Sequence, residues 1–203
     1  MRIALTALVL LLAAGTAGAA DIPVDFPAAP SVELFAPEPG ASRGGFIDEV
    51  RAGATMFVDD RDFVREDGVF VSGEILFSRF VPELENPILN VLLRPRPHVG
   101  ATVSTAGKTS QLYAGLTWDI PLGRFFITGS FGGTVHNGET DPQPVQTGPW
   151  TGCSVMFRES IGIGFNVTDR WSIIGAIDHS SNSGLCTPND GLTHAGVWVG
   201  YKF

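Results

Sequence analysis

Close to the C-terminal end, His179 and Ser181 stand two residues apart in the run Ile177-Asp178-His179-Ser180-Ser181-Asn182-Ser183-Gly184, with Asn189 a little downstream. An imidazole and a hydroxyl are the parts of nucleophilic acyl transfer, in which the base takes the hydroxyl proton as the oxygen attacks a carbonyl. Residues i and i+2 of a β-strand point to one face, so an extended stretch makes the two side chains neighbours. The same residues would serve as the polar end of a strand, and the choice depends on what the rest of the chain builds. Gly40-Ala41-Ser42-Arg43-Gly44 spells the G-x-S-x-G nucleophile motif. That motif needs a strand before it and a helix after it; here prolines precede it and no helical pattern follows, so the match is chance. Cys153 and Cys186 match no zinc spacing, and no cofactor or metal is expected.

The chain has 203 residues and a formal net charge of -8, a balance that argues against a nucleic-acid partner. Arg2, the apolar run Ala4 to Ala14 and the small residues Ala17-Gly18-Ala19-Ala20 read as a signal peptide over 1–20, its apolar core too short for a helical span. In an exported chain a Cys153–Cys186 disulfide is the default, with two free thiols as the alternative. Residues 21–45 are rich in proline and glycine and read as a periplasmic leader. No later apolar run is long enough for a transmembrane helix, so any membrane role must use strands.

From Phe46 onward the pattern has period two. Strands are expected over about 47–58, 68–80, 97–105, 110–120, 124–136, 156–166, 170–180 and 192–203. Each has one apolar face, such as Phe157, Ile161, Ile163 and Phe165, against a face of small, polar or charged residues. A soluble sandwich would turn the apolar faces inward and show mostly charge outside. Glycine, serine and threonine with a few charges (Glu49, Arg51, Glu74) instead suit a packed polar lumen with lipid outside. The expected fold is all-β, an eight-stranded antiparallel transmembrane β-barrel of the outer membrane over 46–203. Short turns at Pro121-Leu122-Gly123 and Thr168-Asp169-Arg170 fall on the periplasmic side, and longer connections at 59–67, 137–155 and 181–191 fall outside. The proline-rich segment from Pro82 to Pro95 is long for a periplasmic turn.

Parity then puts Trp171, Ile173, Ile177, His179 and Ser181 on the lipid-facing side, at the outer end of the seventh strand, with Asp178 in the lumen. Folding strand six onto strand seven, with Val167 facing Trp171, brings Glu159 opposite His179. Glu159 interrupts an apolar outward row and is the candidate acid; an interfacial ion pair is its other reading. The same register brings Cys153 and Cys186 to one height on adjacent outer loops. His136 and His194 have no partner pattern and read as structural.

His179-Ser180-Ser181-Asn182, followed by Gly184, Asn189-Asp190-Gly191 and a last strand ending in an aromatic, resembles the PagL-type lipid A 3-O-deacylases, an acyloxyacyl hydrolase family of eight-stranded outer-membrane barrels. The resemblance is tight over about 157–203 and architectural before that. It implies hydrolysis of an ester-linked hydroxyacyl chain of lipid A in the outer leaflet, with His179 as general base and Ser181 as nucleophile; the sequence is compatible with a monomer or a homodimer. It also implies oxyanion stabilisation by Asn182, Asn189 and the backbone N–H of Gly184. The family's glutamate belongs near the start of the last strand, where this chain has Thr193; either Glu159 substitutes from the other neighbouring strand, or the site works as a weaker His–Ser dyad, or activity is lost. A non-catalytic barrel with a structural or surface-interaction role, or an outer-membrane phospholipase, are the alternatives.

Overall fold

The computed structural model describes residues 45–59, 66–145 and 148–203; the expected signal peptide, the G-x-S-x-G match and the leader as far as residue 44 lie outside them. The strands are β1 (Ile47–Phe57), β2 (Val69–Phe77), β3 (Arg96–Ser104), β4 (Gln111–Leu122), β5 (Phe125–His136), β6 (Val155–Asn166), β7 (Trp171–Ser181) and β8 (Leu192–Lys202). Each pairs antiparallel with the next, and β8 returns to β1 to close the barrel. A single six-residue helix, α1 (Pro87–Leu92), lies between β2 and β3.

The period-two pattern becomes an inside and an outside. Along β7, Trp171, Ile173 and Ile177 are exposed on the outer wall, whereas Ser172, Ile174, Asp178 and Ser180 are buried in the lumen. Such an apolar wall around polar contents is stable only with lipid outside, because in water the exposed Val, Ile and Phe side chains would drive aggregation. Charged and polar side chains crowd the lumen around a small cavity lined by Arg51, Glu74, Thr128, Arg158 and Asp178. Arg96 reaches Asp48 at 2.9 Å and Glu49 at 2.7 Å and also bonds Asp119, while Arg51 bonds Glu49 at 2.8 Å. Arg158 pairs with Asp178 at 3.4 Å and lies 3.9 Å over the Tyr113 ring.

The segment that looked long for a turn contains α1. Asn86 caps it by accepting from the N–H groups of Ile88 (3.0 Å) and Leu89 (3.1 Å), and Pro87 opens the first turn. The indole N–H of Trp118 donates to Leu92 O at 3.0 Å, which ties the helix to β4.

Register positions the elements that matter for chemistry. The β6–β7 ladder sets Glu159 opposite His179 and Phe157 opposite Ser181. On the other side, β7–β8 pairing sets His179 opposite Thr193 and ends at Ser180 opposite Leu192. One step further, Gly191 comes level with Ser181. Closure against β1 continues past the ladder, where Val58 N–H donates to Thr193 O at 3.0 Å.

Candidate active site

His179 and Ser181 share the outward face of β7 and are partly exposed, at the end of the barrel that carries the β5–β6 and β7–β8 connections. Their Cα atoms are two residue rises apart, about 7 Å, a gap an imidazole can bridge. The Ser181 hydroxyl has no hydrogen-bond partner among the described residues, so a bond to the imidazole would require side-chain rotation. Asp178 points into the lumen between Arg158 and His194, as parity requires, and takes no part.

The imidazole leans toward β8. Its Nδ1 is 2.9 Å from the Thr193 hydroxyl, and that hydroxyl donates to Asp59 Oδ2 at 3.0 Å. A threonine hydroxyl has one proton to give. Because an aspartate carboxylate only accepts, that proton goes to Asp59, and the oxygen's lone pair receives Nδ1–H from His179. The direction of this chain leaves the Nε2 lone pair free to act as base. Glu159 stands across the other ladder, opposite His179 as the register predicts, but it is exposed and the Nδ1 bond goes to Thr193 instead. Glu159 thus lies level with the ring but makes no hydrogen bond to it among the described residues, and the orienting contact present is the one to Thr193.

Gly191 explains the lean. A Cβ built there would lie 2.5 Å from His179 Cε1 and 3.1 Å from Nε2, so a side chain would evict the ring. In sequence Gly191 is one member of Asn189-Asp190-Gly191; its steric role comes from lying beside His179.

The expected oxyanion donors separate into two groups. Asn182 is 1% exposed, and its amide hydrogens go to Thr151 O at 2.6 Å and Pro188 O at 3.0 Å. Its Oδ1 accepts from the N–H groups of Gly184 at 2.8 Å and Cys186 at 3.4 Å. Asn182 is therefore a brace of the loop, and the Gly184 N–H is spent on it; neither is free to bind an oxyanion in this conformation. Gly184 has φ 80° beside Ser183 at φ 54°, closing a turn in which Leu185 N–H donates to Asn182 O at 3.0 Å. Asn189 differs: its Oδ1 accepts from Asn182 N–H at 3.0 Å, which fixes the amide and leaves its NH2 group available.

Two further links hold this loop to its neighbour. Cys153 and Cys186 form a disulfide, and Trp150 N–H donates to the Asp190 carboxylate at 3.0 Å while Asp190 N–H donates to Trp150 O at 3.0 Å. His136 belongs to the same frame, with Nε2 bonded to Cys153 O at 2.8 Å and Nδ1 accepting from Gly138 N–H at 3.1 Å. His194 is fully buried in the lumen near Asp178.

Among solved structures the barrel resembles "Crystal structure of the outer membrane enzyme PagL", with a TM-score of 0.56 and 17% identity over 76% of this chain and 99% of that one. It also aligns with the Yersinia pestis outer membrane protein Ail in a phospholipid bilayer nanodisc, at a TM-score of 0.43 and 13% identity over 78% of this chain and 100% of that one. No curated protein sequence matches the chain. The sequence profile of the lipid A 3-O-deacylase (PagL) family matches residues 88–202, a span that holds β6, β7 and β8 with His179, Ser181 and Thr193 but not Asp59. That span is more than half of the 203 residues, and the chain belongs to the lipid A 3-O-deacylase family of outer-membrane β-barrels.

Proposed function

We propose that this protein is an outer-membrane serine esterase that removes an ester-linked 3-hydroxyacyl chain from lipid A. The observation that carries the reading is the outward position of His179 and Ser181 on a lipid-facing wall, with Nδ1 already bonded and Nε2 left as the base. A substrate that is itself the surrounding lipid has no need to enter the lumen.

Ser181 Oγ attacks the ester carbonyl carbon as His179 Nε2 takes the hydroxyl proton. The tetrahedral oxyanion is met by the Asn189 amide, the expected donor whose hydrogens are not engaged in the loop. Collapse breaks the ester C–O bond, and the imidazolium returns its proton to the departing sugar oxygen. Water then attacks the acyl-serine, with Nε2 again taking a proton, and the hydroxy fatty acid leaves as Ser181 is restored. Phe157, opposite Ser181 in register and 39% exposed, stacks with Phe131 at 6.2 Å. These rings give an acyl chain an apolar surface beside the nucleophile.

Purified barrel offered lipid A and, separately, phospholipid tests the substrate class. Release of hydroxy fatty acid from lipid A alone, lost in Ser181→Ala, supports the deacylase. Release from phospholipid instead would make the protein a phospholipase.

A further inference from the structure

We infer that Asp59, acting through the Thr193 hydroxyl, is the positioning carboxylate of the His179 base; this rests on the proposed esterase reading. Three observations carry it. First, the bonds run without a gap from Nδ1 to Thr193 Oγ1 at 2.9 Å and from Thr193 to Asp59 Oδ2 at 3.0 Å. Second, donor and acceptor capacities allow one polarity only while Asp59 is a carboxylate, and that polarity selects the Nδ1–H tautomer needed for Nε2 to act on Ser181. Third, Asp59 and Thr193 are 134 residues apart and meet because β1 closes the barrel against β8. Asp59 stands outside the span matched by the family profile, so the charge is supplied from a different part of the chain than the base and nucleophile.

When Nε2 takes the serine proton, the ring becomes cationic. The Asp59 charge then stabilises it across one intervening hydroxyl, and no proton need leave Nδ1. Asp59 and Thr193 touch neither substrate nor reacting atoms; both position the base. In Asp59→Asn the amide can donate to Thr193, which then donates to Nδ1 and puts the ring proton on Nε2, the wrong tautomer.

The test compares turnover on lipid A and the nitrogen-15 NMR signature of His179 in the folded, detergent-solubilised barrel. D59N and T193V are expected to lower kcat on the order of 100-fold or more with KM little changed, because they remove orientation of the base and not a substrate contact. T193S, which keeps the hydroxyl, recovers what T193V loses. T193E in the D59N background also recovers activity, since a carboxylate then meets Nδ1 directly. In the spectrum, wild type shows the Nδ1–H tautomer and D59N loses that preference. The spectrum needs no turnover, so it decides the relay even if wild type leaves lipid A unchanged, a failure that would fall on the proposed function. Wild-type kcat in D59N with collapse in E159Q, or an Nε2–H tautomer in wild type, would overturn the inference.

Discussion

At the scale of single residues, the site depends as much on what Gly191 lacks as on what His179 has. An added methyl at 191 would fall 2.5 Å from His179 Cε1. Gly191→Ala is expected to turn the ring off Thr193 and lower kcat by about 10- to 100-fold while the barrel still folds; kinetics beside circular dichroism checks this. The sequence made the pair legible because i and i+2 share a face of a strand, and it made Glu159 legible because the register of a short turn is countable. It could not show which way the imidazole leans, since that depends on free space beside β8. Asp59 was also hidden: it looked like one more charge in a polar connection until β1 met β8. Asn182 is a related case. A carboxamide beside a nucleophile suggests an oxyanion donor, and only the loop's fold shows both its hydrogens committed to Thr151 and Pro188.

At the scale of elements, the eight strands were legible because lipid outside and a packed lumen inside impose strict alternation on nearly every strand. The observed bounds lie close to the expected ones; β7, expected over 170–180, runs Trp171–Ser181 and carries the proposed nucleophile on its last residue. The helix α1 escaped because six residues cannot display a helical period, although Asn86-Pro87 is a cap followed by a first-turn proline. The connections at the active end form one frame through the Cys153–Cys186 disulfide, the Trp150–Asp190 pair and the Asn182 brace. Replacing both cysteines with serine removes a crosslink between residues 33 apart, an effect on the order of 2–4 kcal/mol for such a loop. Hydrogen exchange is expected to rise over residues 182–191 while the ladders of β3 to β5 stay protected. Unchanged exchange there would mean that the hydrogen bonds hold the loop unaided.

At the scale of the whole molecule, the barrel separates two tasks. The lumen holds the buried ion pairs, and the outer wall carries the proposed catalytic pair. Arg96 is 1% exposed and shared among Asp48, Glu49 and Asp119, so Arg96→Ala would take the guanidinium from Asp48 and leave buried Glu49 and Asp119 to share Arg51. The expected loss is about 3–5 kcal/mol, seen as a lower midpoint for heat unfolding in detergent, with kcat retained in molecules that remain folded. That split follows from distance, because the Arg96 cluster lies on the inner face while His179 and Ser181 face lipid. The most direct test of the central claim is mass spectrometry of lipid A from cells expressing the inserted wild-type barrel or Ser181→Ala. The expected result is lipid A lighter by one hydroxyacyl group with wild type and unaltered lipid A with Ser181→Ala. An identical spectrum from the two, with both proteins correctly inserted, would contradict the assignment of Ser181 as the nucleophile of a lipid A deacylase.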